Sequence, residues 1–234
     1  MATVGSINDI YRFGTPDAGA VLIQPVDEHD LAFIENEAEY IRQRAGTDFM
    51  LLALRVGDWN RDLSPWPAPA VFGKDDFGGG AQATLEQILL IAKEPKKKYY
   101  IGGYSLAGLF SLWAAYRTDK FTGVAAASPS VWFPGFTDHM KAGRIGTGSV
   151  YLSLGDREEK TRNPVMASVG RNIREAHALL CAQGVDCVLE WNEGNHFKNA
   201  DIRTARAFLW TLDNTKEQPA RQASGAQNDR SGTK

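Results

Sequence analysis

An α/β fold is what this sequence predicts, with a mostly parallel sheet covered by helices on both faces in three layers. Three observations carry it. Short apolar runs of strand length alternate along the chain with longer segments of helical period. Some runs are apolar almost throughout, as in strands buried on both faces; residues 48–56 read Asp-Phe-Met-Leu-Leu-Ala-Leu-Arg-Val. At 97–110 an apolar run ends in Gly102-Gly103-Tyr104, Ser105 follows, and an apolar helix-like segment begins at once. That is the layout of a strand turning sharply into a helix.

In chain order, residues 20–26 read as a strand. Residues 30–44 read as a helix with Leu31, Ile34, Ala38 and Ile41 on one face behind an Asp30 cap. After the strand at 48–56 comes a long irregular stretch, 57–80, holding Trp59, Trp66, Phe77 and the glycine triplet 78–80. Loops this long in compact domains are usually functional or partly disordered. A helix near 81–93 precedes the strand before Ser105, and the helix after Ser105 runs to about Arg117. Then come a small-residue strand at 122–130 and an aromatic-rich loop at 131–136. A strand at 149–155, a long amphipathic helix at 163–182, a strand at 186–192 and a helix at 201–213 complete the pattern. Beyond it the composition turns polar without apolar period. One domain over 1–213 and a disordered tail over 214–234 are expected.

A length of 234 residues is ample for the core of one such domain. The formal net charge of −2, with no basic stripe, predicts no nucleic-acid partner. The first residues lack the basic and apolar regions of a signal peptide, and no apolar run approaches the ~20 residues of a membrane span. The two cysteines, Cys181 and Cys187, fall on segments read as helical and extended. They predict a reduced chain rather than a disulfide framework, and their neighbours suggest no metal site. The expectation is a cytoplasmic protein with no membrane partner.

The stretch around Ser105 has the chemistry of a nucleophile elbow. Strand and helix pass closely there, so the positions two before and two after the serine must be small; Gly103 and Ala107 fill them. The usual pattern closes on glycine, so Ala107 is a departure. A serine nucleophile needs a base, and the base a carboxylate, in the chain order Ser, Asp/Glu, His for this topology. Of the four histidines, His29 and His139 fall in polar loop or helix-end surroundings and His177 within an amphipathic helix. His196 lies just past the last strand, where the base belongs. The acid should follow the strand 149–155, where Asp156, Glu158 and Glu159 compete. Glu158 stands three residues after Gly155, as in the common Gly-x-x-Asp turn, with Asp156 the runner-up and Glu159 third. The first expected oxyanion donor is the N–H of Leu106, and the second that of Asp58 or Trp59. Trp59, Trp66, Phe77 and Trp132 fall in the loops that would surround Ser105, as substrate lining or as ordinary loop packing.

Four segments together resemble a known group. They are the elbow Gly102-Gly103-Tyr104-Ser105-Leu106-Ala107-Gly108, the stretch from Asp58 to Trp66, the stretch from Leu154 to Pro164, and Glu193-Gly194-Asn195-His196. They resemble serine esterases related to esterase D and the enterochelin esterases, over roughly residues 18–212. The resemblance implies an α/β-hydrolase fold and hydrolysis of a small-molecule carboxylic ester through an acyl-enzyme. Ser105 would be nucleophile and His196 base, with no metal or organic cofactor. Members vary at the acid. A siderophore substrate does not follow, since siderophore-specific members are larger or carry additional segments. The short connection between strands 122–130 and 149–155 leaves room only for a short lid. Two other readings stand beside hydrolysis: an acyltransferase or thioesterase on the same residues, and a silent binding module, which Ala107 and the open choice of acid keep in play.

Overall fold

The computed structural model describes residues 7–71 and 73–215. The chain begins with β1 (Ile7–Gly14), β2 (Ala20–Val26), α1 (Glu28–Leu31), α2 (Ile34–Arg42) and β3 (Phe49–Val56). The stretch after β3 holds α3 (Trp59–Asp62) and two short strands, β4 (Pro67–Ala68) and β5 (Phe77–Gly78), paired with each other. Next are α4 (Ala81–Ile91), β6 (Lys98–Tyr104), α5 (Ser105–Arg117), β7 (Phe121–Ala127) and α6 (Phe136–Ala142). The last elements are β8 (Ser149–Gly155), α7 (Pro164–Ala167), α8 (Val169–Ala182), β9 (Asp186–Asn192) and α9 (Ala200–Asn214).

Among the described residues the main sheet has seven strands, in the order β1-β3-β2-β6-β7-β8-β9. Only β1 is antiparallel to its neighbour; the other pairs are parallel. Each face is buried by its own apolar layer. Ile23, Leu54, Ile101, Val124 and Leu152 pack under α4, α5, α6 and α8, while Leu22, Leu51, Tyr100, Ala125 and Tyr151 pack under α2 and α9. Alternate residues of one strand thus serve opposite faces, which is why these strands read as continuous apolar runs. The expected three-layer arrangement is what forms. From β2 the chain moves toward one edge, to β3 beside the edge strand β1, and then crosses to β6 and runs outward to β9 on the other side. The strand order therefore reverses between β2 and β6, and ligands bind beyond the carboxyl ends of strands at such a point.

Several expected elements differ in detail. The helix expected over 30–44 is two helices, and its cap is Asp27 rather than Asp30: the Asp27 carboxylate accepts the Asp30 N–H at 2.8 Å. The helix expected over 163–182 is also two, the first capped by Asn163, whose side chain accepts the Val165 and Met166 N–H groups. β7 stops at Ala127 instead of running to 130, because Ser128 takes a left-handed φ of 40° and Pro129 has no N–H to give. Within 57–80, side chains bond the backbone: Ser64 Oγ donates to Asn60 O at 2.6 Å and accepts the Gly79 N–H at 2.9 Å. α9 runs through Asn214, and Thr215 bonds Tyr100 OH at 2.7 Å, so the fold continues past the expected boundary. The rest of the expected tail lies outside the described residues. Among the described residues, no helix is long and apolar enough to cross a membrane.

Candidate active site

Ser105 sits where β6 becomes α5, at φ 54°. A left-handed serine at the first residue of a helix has the geometry of a nucleophile elbow's strained apex, which lifts the hydroxyl off the sheet. The close approach behind it explains the small flanking residues. A Cβ at Gly103 would lie 2.6 Å from Ala107 Cβ. Ala107 therefore fits in place of the usual closing glycine because Gly103 carries no side chain.

His196 stands in the loop between β9 and α9, and its Nε2 is 3.0 Å from Ser105 Oγ. Its Nδ1 is 2.7 Å from Glu158 Oε2. An ionised carboxylate only accepts, so Nδ1 carries the proton and Nε2 is left to accept from the serine. Glu158 reaches this place from a tight turn after β8. Its N–H donates to Gly155 O at 3.1 Å while its Oε1 accepts the Gly155 N–H at 2.7 Å. A Cβ at Gly155 would stand 2.9 Å from that same Oε1.

The runner-up acids have other work. Asp156 Oδ1 accepts the Gly194 N–H at 2.8 Å, and the Arg157 N–H donates to Gly194 O at 3.1 Å, so this turn fastens the histidine loop. Glu159 lies at the surface, 3.3 Å from Arg174 Nη1.

Glu158 is buried, and Oε1 also accepts Ser128 Oγ at 2.7 Å and Arg203 Nη2 at 2.8 Å. Burial pushes the carboxyl up. The hydrogen bond and charge of His196, the Ser128 hydroxyl and the Arg203 charge outweigh it and hold the carboxyl down at about 2. Arg203 Nη1 donates to Tyr104 OH at 2.6 Å, and Tyr104 OH donates to His196 O at 2.8 Å. Burial raises the Tyr104 phenol, so it stays protonated as that donor. Ser130 Oγ lies 3.2 Å from Ser105 Oγ.

The Leu106 N–H is in the first turn of α5, where helix donors have no intrahelical acceptor. The alternative of Asp58 as second donor is corrected. Asp58 caps α3 with its side chain on the Arg61 N–H, and its own N–H is taken by Asp62 Oδ2 at 2.9 Å. Trp59, first in α3, keeps a first-turn N–H.

A cavity of about 370 Å³ opens beside Ser105 and His196, walled by Trp132, Met166, Val169 and Phe197. Trp132 therefore lies where pocket lining was expected. Trp66 does not: its Nε1 donates to Pro134 O at 2.9 Å and its ring packs on Phe133 and His139. Trp59 and Phe77 pack against the core, outside that cavity wall. Sequence reasoning missed Ser128, Arg203, Met166, Val169 and Phe197. One signal was available: Arg203 falls on the face of α9 that also carries Ala207 and Phe208, a charge where an apolar residue belongs. Among the described residues, no group of three or more His, Cys, Asp or Glu could hold a metal ion.

No known protein family's sequence model matches the chain. Among curated proteins it is 23% identical over 163 residues to the uncharacterized protein YbbA of Bacillus subtilis, across 63% of this chain and 64% of that protein. The chain thus spans less than two thirds of that relative. Among solved structures it resembles the siderophore hydrolase EstA from Aspergillus nidulans, with a TM-score of 0.63, 16% identity, and 92% and 96% of the two chains covered. An IroE-like serine hydrolase from Shewanella oneidensis matches with a TM-score of 0.65 and 15% identity, over 83% of this chain and 70% of that one. The Bacillus cereus carboxylesterase matches with a TM-score of 0.59 and 16% identity, over 88% and 93%. At these identities the likeness is one of fold: the chain has the α/β-hydrolase fold.

Proposed function

We propose that this protein is a serine hydrolase that cleaves carboxylic esters of small molecules through an acyl-enzyme, with β1 to α9 acting as one domain. The observation that carries the reading is the hydrogen-bonded series from Ser105 Oγ to His196 Nε2 at 3.0 Å and from His196 Nδ1 to Glu158 Oε2 at 2.7 Å, beside an open cavity. His196 takes the Ser105 proton as Oγ attacks the ester carbonyl. The N–H groups of Leu106 and Trp59 receive the oxyanion. Collapse breaks the bond to the alcohol, which leaves with the proton from His196. Water then gives a proton to His196 and attacks the acyl-serine, and that proton returns to Ser105 as the acid departs.

The cavity wall supports an uncharged, apolar group on the substrate. Its one charged side chain is Glu158, whose two oxygens are already bonded. The solved relatives named for esterase or siderophore hydrolysis favour the same reaction class without choosing the ester. Acyl transfer uses the same steps with an alcohol or thiol in place of water. Two free cysteines fit a reducing compartment such as the cytoplasm.

Covalent labelling tests the reading. A fluorophosphonate is expected to modify Ser105 in the wild type and not in Ser105→Ala, and p-nitrophenyl butyrate hydrolysis to vanish in that variant. No labelling of the folded wild type would refute it. Product partition with added alcohol separates hydrolysis from transfer.

A further inference from the structure

We propose that Arg203 is the positioning residue of this centre, holding Glu158 and the His196 loop in register with Ser105. The inference rests on the hydrolase reading above and extends it to a residue on a different element. Arg203 projects from the first turns of α9 and is 3% exposed. Its Nη2 donates to Glu158 Oε1 at 2.8 Å and to Ser128 Oγ. Its Nη1 donates to Tyr104 OH at 2.6 Å and to Asn195 O at 3.4 Å. Tyr104 precedes the serine and Asn195 precedes the histidine, so one guanidinium touches the neighbourhood of all three groups.

The donors balance at each oxygen. Ser128 Oγ accepts from Arg203 and donates to Glu158, and Tyr104 OH accepts from Arg203 and donates to His196 O. Arg203, Ser128 and the Gly155 N–H converge on Oε1, which turns Oε2 toward His196. A planar fork with fixed donors does this; an ammonium on a flexible stem does not.

The charge of Arg203 has a separate effect. The titratable groups facing His196 are Glu158 from the turn after β8, Tyr104 from β6 and Arg203 from α9. Asp156 fastens the same loop, which itself carries Glu193 and Lys198, paired with each other at 3.0 Å. A cation beyond Glu158 shares the carboxylate's charge, so the imidazolium gains less from it. Removing that cation should move the acid limb of the pH profile upward.

The test is the pH profile of kcat/KM for p-nitrophenyl butyrate in the wild type, Arg203→Met, Arg203→Lys and Tyr104→Phe, with circular dichroism to verify folding. The acid limb should move up by about half a unit or more in Arg203→Met and stay within ~0.2 unit of wild type in Arg203→Lys. kcat should fall about tenfold or more in both, because the fork is lost in both. Tyr104→Phe should lower kcat with the limb unmoved. A folded Arg203→Met enzyme with the wild-type limb would overturn the proposal. Should that variant not fold, Arg203→Lys decides: wild-type kcat there overturns the positioning role, and reduced kcat on an unshifted limb upholds it. Failure of the hydrolase reading looks different, since the wild type itself would then hydrolyse no ester and take no label.

Discussion

Asp156, Glu158 and Glu159 leave the end of β8 together, yet the fold turns each to a different partner. Asp156 ties down Gly194, Glu158 meets His196, and Glu159 pairs with Arg174 at the surface. Their spacing from Gly155 favoured Glu158, because a tight turn aims its fourth residue back along the strand end. The partner that completes Glu158 could not be read that way, since Arg203 arrives from a helix 45 residues on. Glu158→Gln should lower kcat by about 10²–10⁴-fold with the fold intact, because an amide facing Nδ1 favours the wrong tautomer. Asp156→Asn keeps an acceptor for the Gly194 N–H and should stay within about threefold of wild type. Comparable losses in both variants would remove Glu158 from the role of acid. The depressed Glu158 carboxyl also bears on stability. Its folded value of about 2 lies below the ordinary 4.5, so its contribution is complete above about pH 4.5 and is lost as pH falls toward 2.

The elbow is where local sequence and tertiary contact meet most tightly among the elements. Ala107 departs from the usual glycine, and the structure accounts for it through Gly103: one Cβ fits in the crossing of β6 and α5, and two do not. Gly103→Ala should destabilise by roughly 1–3 kcal/mol through overpacking. Adding Ala107→Gly should recover part of that loss, although glycine in a helix alone costs about 1 kcal/mol. Urea midpoints of the two single variants and the double variant measure the coupling, and strict additivity would contradict the contact. Other elements show where periodicity misleads. The single helix read over 30–44 breaks in two because Asp27 caps a short first turn before α2 starts. β1 left little signal: it is an edge strand with Asp9, Tyr11 and Arg12 turned to water, and its polarity hid the alternation.

Across the whole molecule, the sheet puts Ser105 and His196 beyond its strand ends and buries acids on the face under α2. Beneath α2, Glu37 is buried with one hydrogen bond, from Gln24 Nε2 at 3.3 Å, and burial holds its carboxyl well above the usual range. Nearby, burial and then the Asp27 charge raise Asp30 to about 7. A folded value above the ordinary 3.8 means that stability is full below about pH 4 and falls as pH rises through 7. Asp30→Asn removes that dependence. Its melting temperature relative to wild type should climb between about pH 4 and 7 and level off above; a pH-independent difference would refute the burial effect. The alternation of strands and helices, the elbow at Ser105, and the chain order that sends His196 and the acid turn to the ends of β9 and β8 were all legible along the chain. These follow from local periodicity and turn chemistry, which neighbouring residues decide among themselves. Which carboxylate faces His196, the occupied Asp58 N–H, the packing of Trp66 on its neighbours rather than the cavity, and the closing of the network by Arg203 from α9 emerge only on folding. Those outcomes depend on side chains from distant elements meeting in one small volume, and no spacing along the chain records such a meeting.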